Sequence, residues 1–146
     1  MNVFNQLRKM KILLIDDDEW IRNSLSLYFE GEGIALRALE TAEEALAELQ
    51  NISYDIIIAD YRLPGISGLE FLKRIRTTHP HSIKILITAY KDKKLISEAL
   101  SIGIQDFIEK PFTTNTIEQA LSWVIHDQQL SRDQSLKRIN TYLSEE

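Results

Sequence analysis

The sequence predicts an α/β protein: a five-stranded parallel sheet with helices on both faces. Three observations carry that prediction. Short apolar runs alternate with amphipathic stretches five times along the 146 residues, as strands and crossover helices do in a parallel sheet. The runs at 12–15 and 56–59 contain no polar residue, which is how a strand buried on both faces reads. Three runs end abruptly, in Asp16-Asp17, Asp60 and Thr88, and ligands of open parallel sheets bind beyond the carboxyl ends of the strands.

Residues 11–15 form the first strand, which runs into Asp16-Asp17-Asp18-Glu19. A helix follows from about Asp18, with Ile21, Leu25, Leu27, Tyr28 and Phe29 near helical spacing. The dipole favours Asp18 and Glu19 at its first turn, and Gly31 and Gly33 close it. Residues 34–39 are the second strand. Thr41 and Glu44 have the spacing of a capping box, for a helix through Ala42, Ala45, Leu46 and Leu49. The third strand ends at Asp60, and Pro64-Gly65 interrupt regular structure just beyond. Leu69, Phe71, Leu72 and Ile75 mark the next helix, with Pro80 past its end. Residues 83–87 are the fourth strand, 91–102 a helix closed by Gly103, and 105–109 the fifth strand. Thr113 or Thr114 caps a last helix through Ile117, Ala120, Leu121, Val124 and Ile125. Right-handed crossovers leave few topologies for such a chain. The flavodoxin-like (βα)5 arrangement, with strand order 2-1-3-4-5, is the commonest.

The length suits one domain with a real core. Net charge is −5 with no long basic run, which argues against direct nucleic-acid binding. The absence of cysteine excludes disulfides, thiolate metal sites and cysteine nucleophiles. No apolar stretch is long enough to span a membrane, and residues 1–10 lack the apolar core of a signal peptide. A cytoplasmic location without membrane contact is expected. The expected division is a leader at 1–10, one domain at 11–126, and a C-terminal helical extension or linker at 127–146.

Drawn on the order 2-1-3-4-5, the strand ends bring chemistry together. Strand one delivers Asp16 and Asp17, strand three Asp60, strand four Thr88 and strand five Lys110 to one edge. Carboxylates crowded in one pocket repel one another unless a cation is present. An all-oxygen site with room for water suits Mg²⁺ or Mn²⁺. A carboxylate nucleophile, a divalent cation, a lysine and a hydroxyl are the parts that accept a phosphoryl group. Asp60 would attack in line.

These residues lie in segments that resemble the receiver domain of two-component response regulators. The segments are Ile12-Leu13-Leu14-Ile15-Asp16-Asp17-Asp18, Asp60-Tyr61-Arg62-Leu63-Pro64-Gly65 with Gly68-Leu69, Thr88-Ala89-Tyr90, and Lys110-Pro111-Phe112. They follow the family's order and spacing over about 11–125. The resemblance implies that Asp60 takes a phosphoryl group from the phosphohistidine of a sensor histidine kinase or phosphotransfer protein, as in a phosphorelay. It implies Mg²⁺ (or Mn²⁺) held by Asp17 directly, by Asp16 mainly through water, by Asp60, and by the carbonyl of Arg62. It implies that Lys110 pairs with the phosphoryl group, beside a cis bond to Pro111. Thr88 would move to a phosphoryl oxygen and Phe107 would turn inward behind it, without the hydroxyl of a tyrosine. The signal would leave by the face of the fourth helix, fifth strand and fifth helix. Its receiver would be an output domain or partner protein outside this chain, or a homodimer. Such a protein is not an enzyme, beyond its own phosphorylation and autodephosphorylation. In the family the positions of Arg62 and Tyr90 tune access of the hydrolytic water. Both residues are large here, which predicts a phosphoaspartate longer-lived than in chemotaxis-type members. Leu63 stands where Met is more common.

Each residue also has a plainer reading. Asp18 and Glu19 read as helix-start charges rather than ligands. Alone, Thr88 reads as a strand-end hydroxyl bonded to backbone, Lys110 as a surface charge and Phe107 as core. Trp20 and Trp123 read as packing residues, and His79, His81 and His126 as surface residues. Two other functions compete. Asp16 and Asp18 have the Asp-x-Asp spacing of haloacid-dehalogenase-like phosphatases. That family usually has Thr or Val where this chain has Trp20, and it leaves Asp60 unexplained. The second is a receiver-like interaction module that is not phosphorylated, against which all five pocket positions carry the functional residue types. The stretch around Asp60 to Tyr90 leans towards receivers joined to transcriptional activators or cyclic-dinucleotide enzymes. No Gly or Pro occurs in 113–146, so the last helix is free to continue. Leu130, Leu136, Ile139 and Leu143 are only loosely periodic there.

Overall fold

The computed structural model describes residues 3–127. Strands β1 (Lys11–Ile15), β2 (Ala35–Leu39), β3 (Ile56–Asp60), β4 (Ile83–Thr88) and β5 (Asp106–Glu109) form one sheet in the order β2-β1-β3-β4-β5. Every pairing is parallel. The helices are α1 (Val3–Leu7), α2 (Glu19–Gly31), α3 (Ala42–Leu49), α4 (Gly68–Ile75), α5 (Lys93–Ser101) and α6 (Thr114–Asp127). The expected strand order holds.

Alternate side chains of each strand feed two cores. Leu13, Ile15, Ile57, Ala59, Leu86 and Phe107 pack with residues of α3, α4 and α5. Ile12, Leu14, Ile56, Ile58, Ile85 and Ile87 pack with residues of α1, α2 and α6. Burial on both faces leaves no position in β3 where a polar side chain would be free, until Asp60 at its end.

Caps place the helix starts. Asp18 Oδ1 accepts the amide of Trp20 at 2.9 Å. Thr41 and Glu44 form the reciprocal box: Glu44 N donates to Thr41 Oγ1 at 3.1 Å, and Thr41 N donates to Glu44 Oε1 at 3.0 Å. Asp92 caps α5 through the amide of Leu95, so that helix begins at Lys93 rather than at residue 91. Thr113 Oγ1 accepts the amide of Thr116 at 3.2 Å, ahead of α6. Each such cap contributes about 1 kcal/mol.

Two features differ from expectation. Residues 3–7, where no element was expected, form α1. Its Leu7 is fully buried, and Val3, Phe4 and Met10 lie against the same cluster. Arg8 Nε donates to the Glu32 carbonyl at 2.8 Å, tying α1 to the turn after α2. His79 is not a plain surface residue. Its ring nitrogens lie 2.8 Å from Thr78 Oγ1 and 3.1 Å from the Leu49 carbonyl, joining the ends of α4 and α3. The expected extension at 127–146 lies outside the described residues apart from Asp127, and so do Leu130, Leu136, Ile139 and Leu143.

Candidate functional site

The carboxyl edge of the sheet collects the charged residues. Asp16 follows β1, Asp60 ends β3, Thr88 ends β4 and Lys110 follows β5. Asp16, Asp17 and Asp60 each present a carboxylate oxygen, and these lie within 4.8 Å of one another. Asp16 and Asp60 are buried and Asp17 is exposed. The Lys110 ammonium donates to Asp60 Oδ2 at 2.9 Å and lies 3.3 Å from Asp16 Oδ2.

Backbone hydrogen bonds fix these positions. Lys110 N donates to the Thr88 carbonyl at 2.8 Å, and Tyr61 N to the Ile87 carbonyl at 2.7 Å. Asp16 Oδ1 accepts the amide of Asp18 at 2.9 Å. Arg22, one turn into α2, donates to the Asp16 carbonyl at 2.9 Å. Gly68 N donates to the Tyr61 carbonyl at 3.0 Å, and α4 starts so close to β3 that a Cβ on Gly68 would lie 2.7 Å from the Asp60 carbonyl carbon. Only glycine permits that approach.

The electrostatics are unbalanced. Burial pushes the Asp16 carboxyl up to about 6, opposed by the Asp18 amide and assisted by the charge of Asp60. Burial alone would lower the Lys110 ammonium. The hydrogen bond to Asp60 and the charges of Asp16 and Asp60 outweigh it and hold Lys110 above the ordinary lysine value. Asp16 Oδ2 is buried, and its partner there is the Lys110 ammonium at 3.3 Å. Three carboxylates facing one ammonium fit an oxygen-coordinated divalent cation. The Lys110–Pro111 peptide is cis.

The remaining residues have other surroundings. Thr88 is buried at the strand end, but its hydroxyl donates to the Tyr90 carbonyl at 3.0 Å and accepts the Tyr90 amide at 3.1 Å. Its plainer reading holds in this conformation. Phe107 is buried beside Leu86. Arg62 and Tyr90 are both exposed near the site. Trp20 is not a packing residue. It is 77% exposed and lines a cleft of about 490 Å³ with Ile21, Leu25, Lys110, Pro111 and Phe112. Asp18 is the N-cap and Glu19 stands in the first turn, as helix-start charges.

Residues 12–122 match the response regulator receiver domain. The chain belongs to that family. The transcriptional regulatory protein FixJ of Bradyrhizobium diazoefficiens is 33% identical over 117 residues, covering 77% of this chain and 57% of its own length. A cyclic di-GMP phosphodiesterase of Thermotoga maritima is 30% identical over 102 residues, covering 70% of this chain and 27% of its own. The chain spans little more than half of the first of these relatives and about a quarter of the second. The chemotaxis response regulator CheY4 of Vibrio cholerae superposes with a TM-score of 0.73 at 27% identity, over 79% of this chain and 98% of its own. A receiver domain is thus the shared part, and the acidic edge of its sheet suits phosphorylation and Mg²⁺.

Proposed function

We propose that this receiver domain takes a phosphoryl group onto Asp60 from the phosphohistidine of a histidine kinase or phosphotransfer protein. The observation that carries the reading is the 2.9 Å pairing of Asp60 with Lys110 inside a cluster of three carboxylates. A carboxylate oxygen of Asp60 forms the new bond to phosphorus. The phosphorus–nitrogen bond breaks, its electron pair returns to the imidazole, and the imidazole takes a proton from solvent. Lys110 holds Asp60 in place before transfer and pairs with a phosphoryl oxygen afterwards. The cleft beside Trp20 and Phe112 is lined by Lys110, and the donor would approach along it.

Asp16, Asp17, Asp60 and the Arg62 carbonyl would hold Mg²⁺ or Mn²⁺. When bound, the cation neutralises charge on the transferring group. On phosphorylation Thr88 would exchange its Tyr90 partners for a phosphoryl oxygen, with Phe107 packed inward behind it. The change would be read at the face made by α5, β5 and α6, by an output domain, a partner protein or a second copy. The chain turns over no external substrate in this reading, and it works in the cytoplasm. Among the described residues no helix is long and apolar enough to cross a membrane.

Intact mass after incubation with acetyl phosphate and Mg²⁺ tests the reading. One added phosphoryl group is expected, absent with EDTA and absent in Asp60→Asn. An adduct that persists in Asp60→Asn contradicts it.

A further inference from the structure

The loop between β3 and α4 carries Arg62 and begins immediately after Asp60. Both its ends are tied by backbone: Tyr61 N to the Ile87 carbonyl, and Gly68 N to the Tyr61 carbonyl. The far part of the loop is tied from another element. Glu43, in the first turn of α3, accepts the amide of Ile66 on Oε2 at 3.2 Å. Two features make room for that contact. Gly65 takes φ +75°, in the left-handed region, and a Cβ there would fall on the Glu43 carboxylate, 3.2 Å from its Cδ. The capping box of Thr41 and Glu44 fixes the turn from which Glu43 projects.

We propose that Glu43 is a positioning residue for the phosphoacceptor loop. Its carboxylate, seated where Gly65 lacks a side chain, braces the loop so that the Arg62 carbonyl stays in register with Asp60. This inference rests on the phosphoacceptor reading and extends it to a residue that touches neither phosphoryl group nor cation. What the loop uses is an acceptor in this place: the Ile66 amide donates to one side-chain oxygen, and a neutral oxygen can serve it. Loss of one such bond in an exposed loop should loosen the site without unfolding the domain.

Mg²⁺ titrations of the full chain, followed by amide chemical shifts, test it together with hydrogen exchange at Ile66. Glu43→Ala and Glu43→Gln both remove the charge, but only Gln keeps an acceptor. The expected result is an Mg²⁺ dissociation constant raised roughly three- to tenfold in Glu43→Ala, with faster exchange at Ile66. Gly65→Ala should behave alike, and Glu43→Gln should stay near the wild type. Glu43→Ala binding Mg²⁺ like the wild type overturns the inference. So does Glu43→Gln as weak as Glu43→Ala, which would assign the effect to charge. A wild type that binds Mg²⁺ as predicted but takes no phosphoryl group from either acetyl phosphate or a phosphohistidine donor leaves the brace standing and removes the phosphoacceptor reading. A wild type that binds no Mg²⁺ removes both.

Discussion

Burial weighs on the Asp16 carboxylate. Its buried carboxyl titrates near 6 in the folded protein, against an ordinary value of 3.8. The raised folded value means that the native state favours the protonated form. The stabilisation from this group is full below 3.8 and is lost as pH rises through about 6. In cation-free buffer, Asp16→Asn should therefore gain thermal stability on the wild type between pH 4 and 7, by roughly 1–3 kcal/mol. Mg²⁺ should narrow the gap by stabilising the wild type more than the variant. A difference that stays flat across that range contradicts the account. Arg62 and Tyr90 are proposed to act on the lifetime of the modified state. Shortening both to Ala should shorten the phosphoaspartate half-life, and an unchanged half-life counts against their proposed role. Asp16, Asp17, Asp60 and Lys110 were legible as neighbours because they stand at the ends of strands that the fold aligns. That the Thr88 hydroxyl bonds backbone was legible as well, but not that Tyr90 is the partner, since a hydroxyl's partner depends on the local turn. Arg22 was also missed, although its i+4 spacing from the cap Asp18 points back at the strand end. Glu43 leaves no such local signal, because its partner lies 23 residues away.

At the scale of elements, caps and breakers carried most of the information. Thr41-Glu44, Asp18, Gly33 and Gly103 stand where helices start or stop, so boundaries fell within a residue or two. The start of α5 shifted because Asp92 outcompeted its neighbours as a cap. The short α1 carried no readable period, and only tertiary burial of Leu7 explains it. That burial makes a prediction. β1 starts at the sheet's amino edge and α6 runs back towards that edge, so α1 packs against α6 near its end. Leu7→Ala should cost about 2–4 kcal/mol in a denaturant titration while leaving phosphoryl acceptance intact. A cost near zero would mean that α1 adds little to the core.

For the whole molecule, the central relation is between topology and chemistry. The order β2-β1-β3-β4-β5 makes neighbours of the strands that carry Asp16, Asp60, Thr88 and Lys110, and leaves β2, which supplies none of these residues, at the margin. The strand-helix alternation, with the commonest right-handed topology for it, predicted that order, and the carboxylates of Asp16, Asp17 and Asp60 meet at one edge of it. The central claim is that Asp60 is the residue modified at this edge. Borohydride reduction of the acetyl-phosphate-treated protein, followed by peptide mapping, reads it most directly, because an aspartyl phosphate is reduced to homoserine. The account predicts homoserine at position 60 and nowhere else. Homoserine at Asp16 or Asp17, with position 60 untouched, would contradict it.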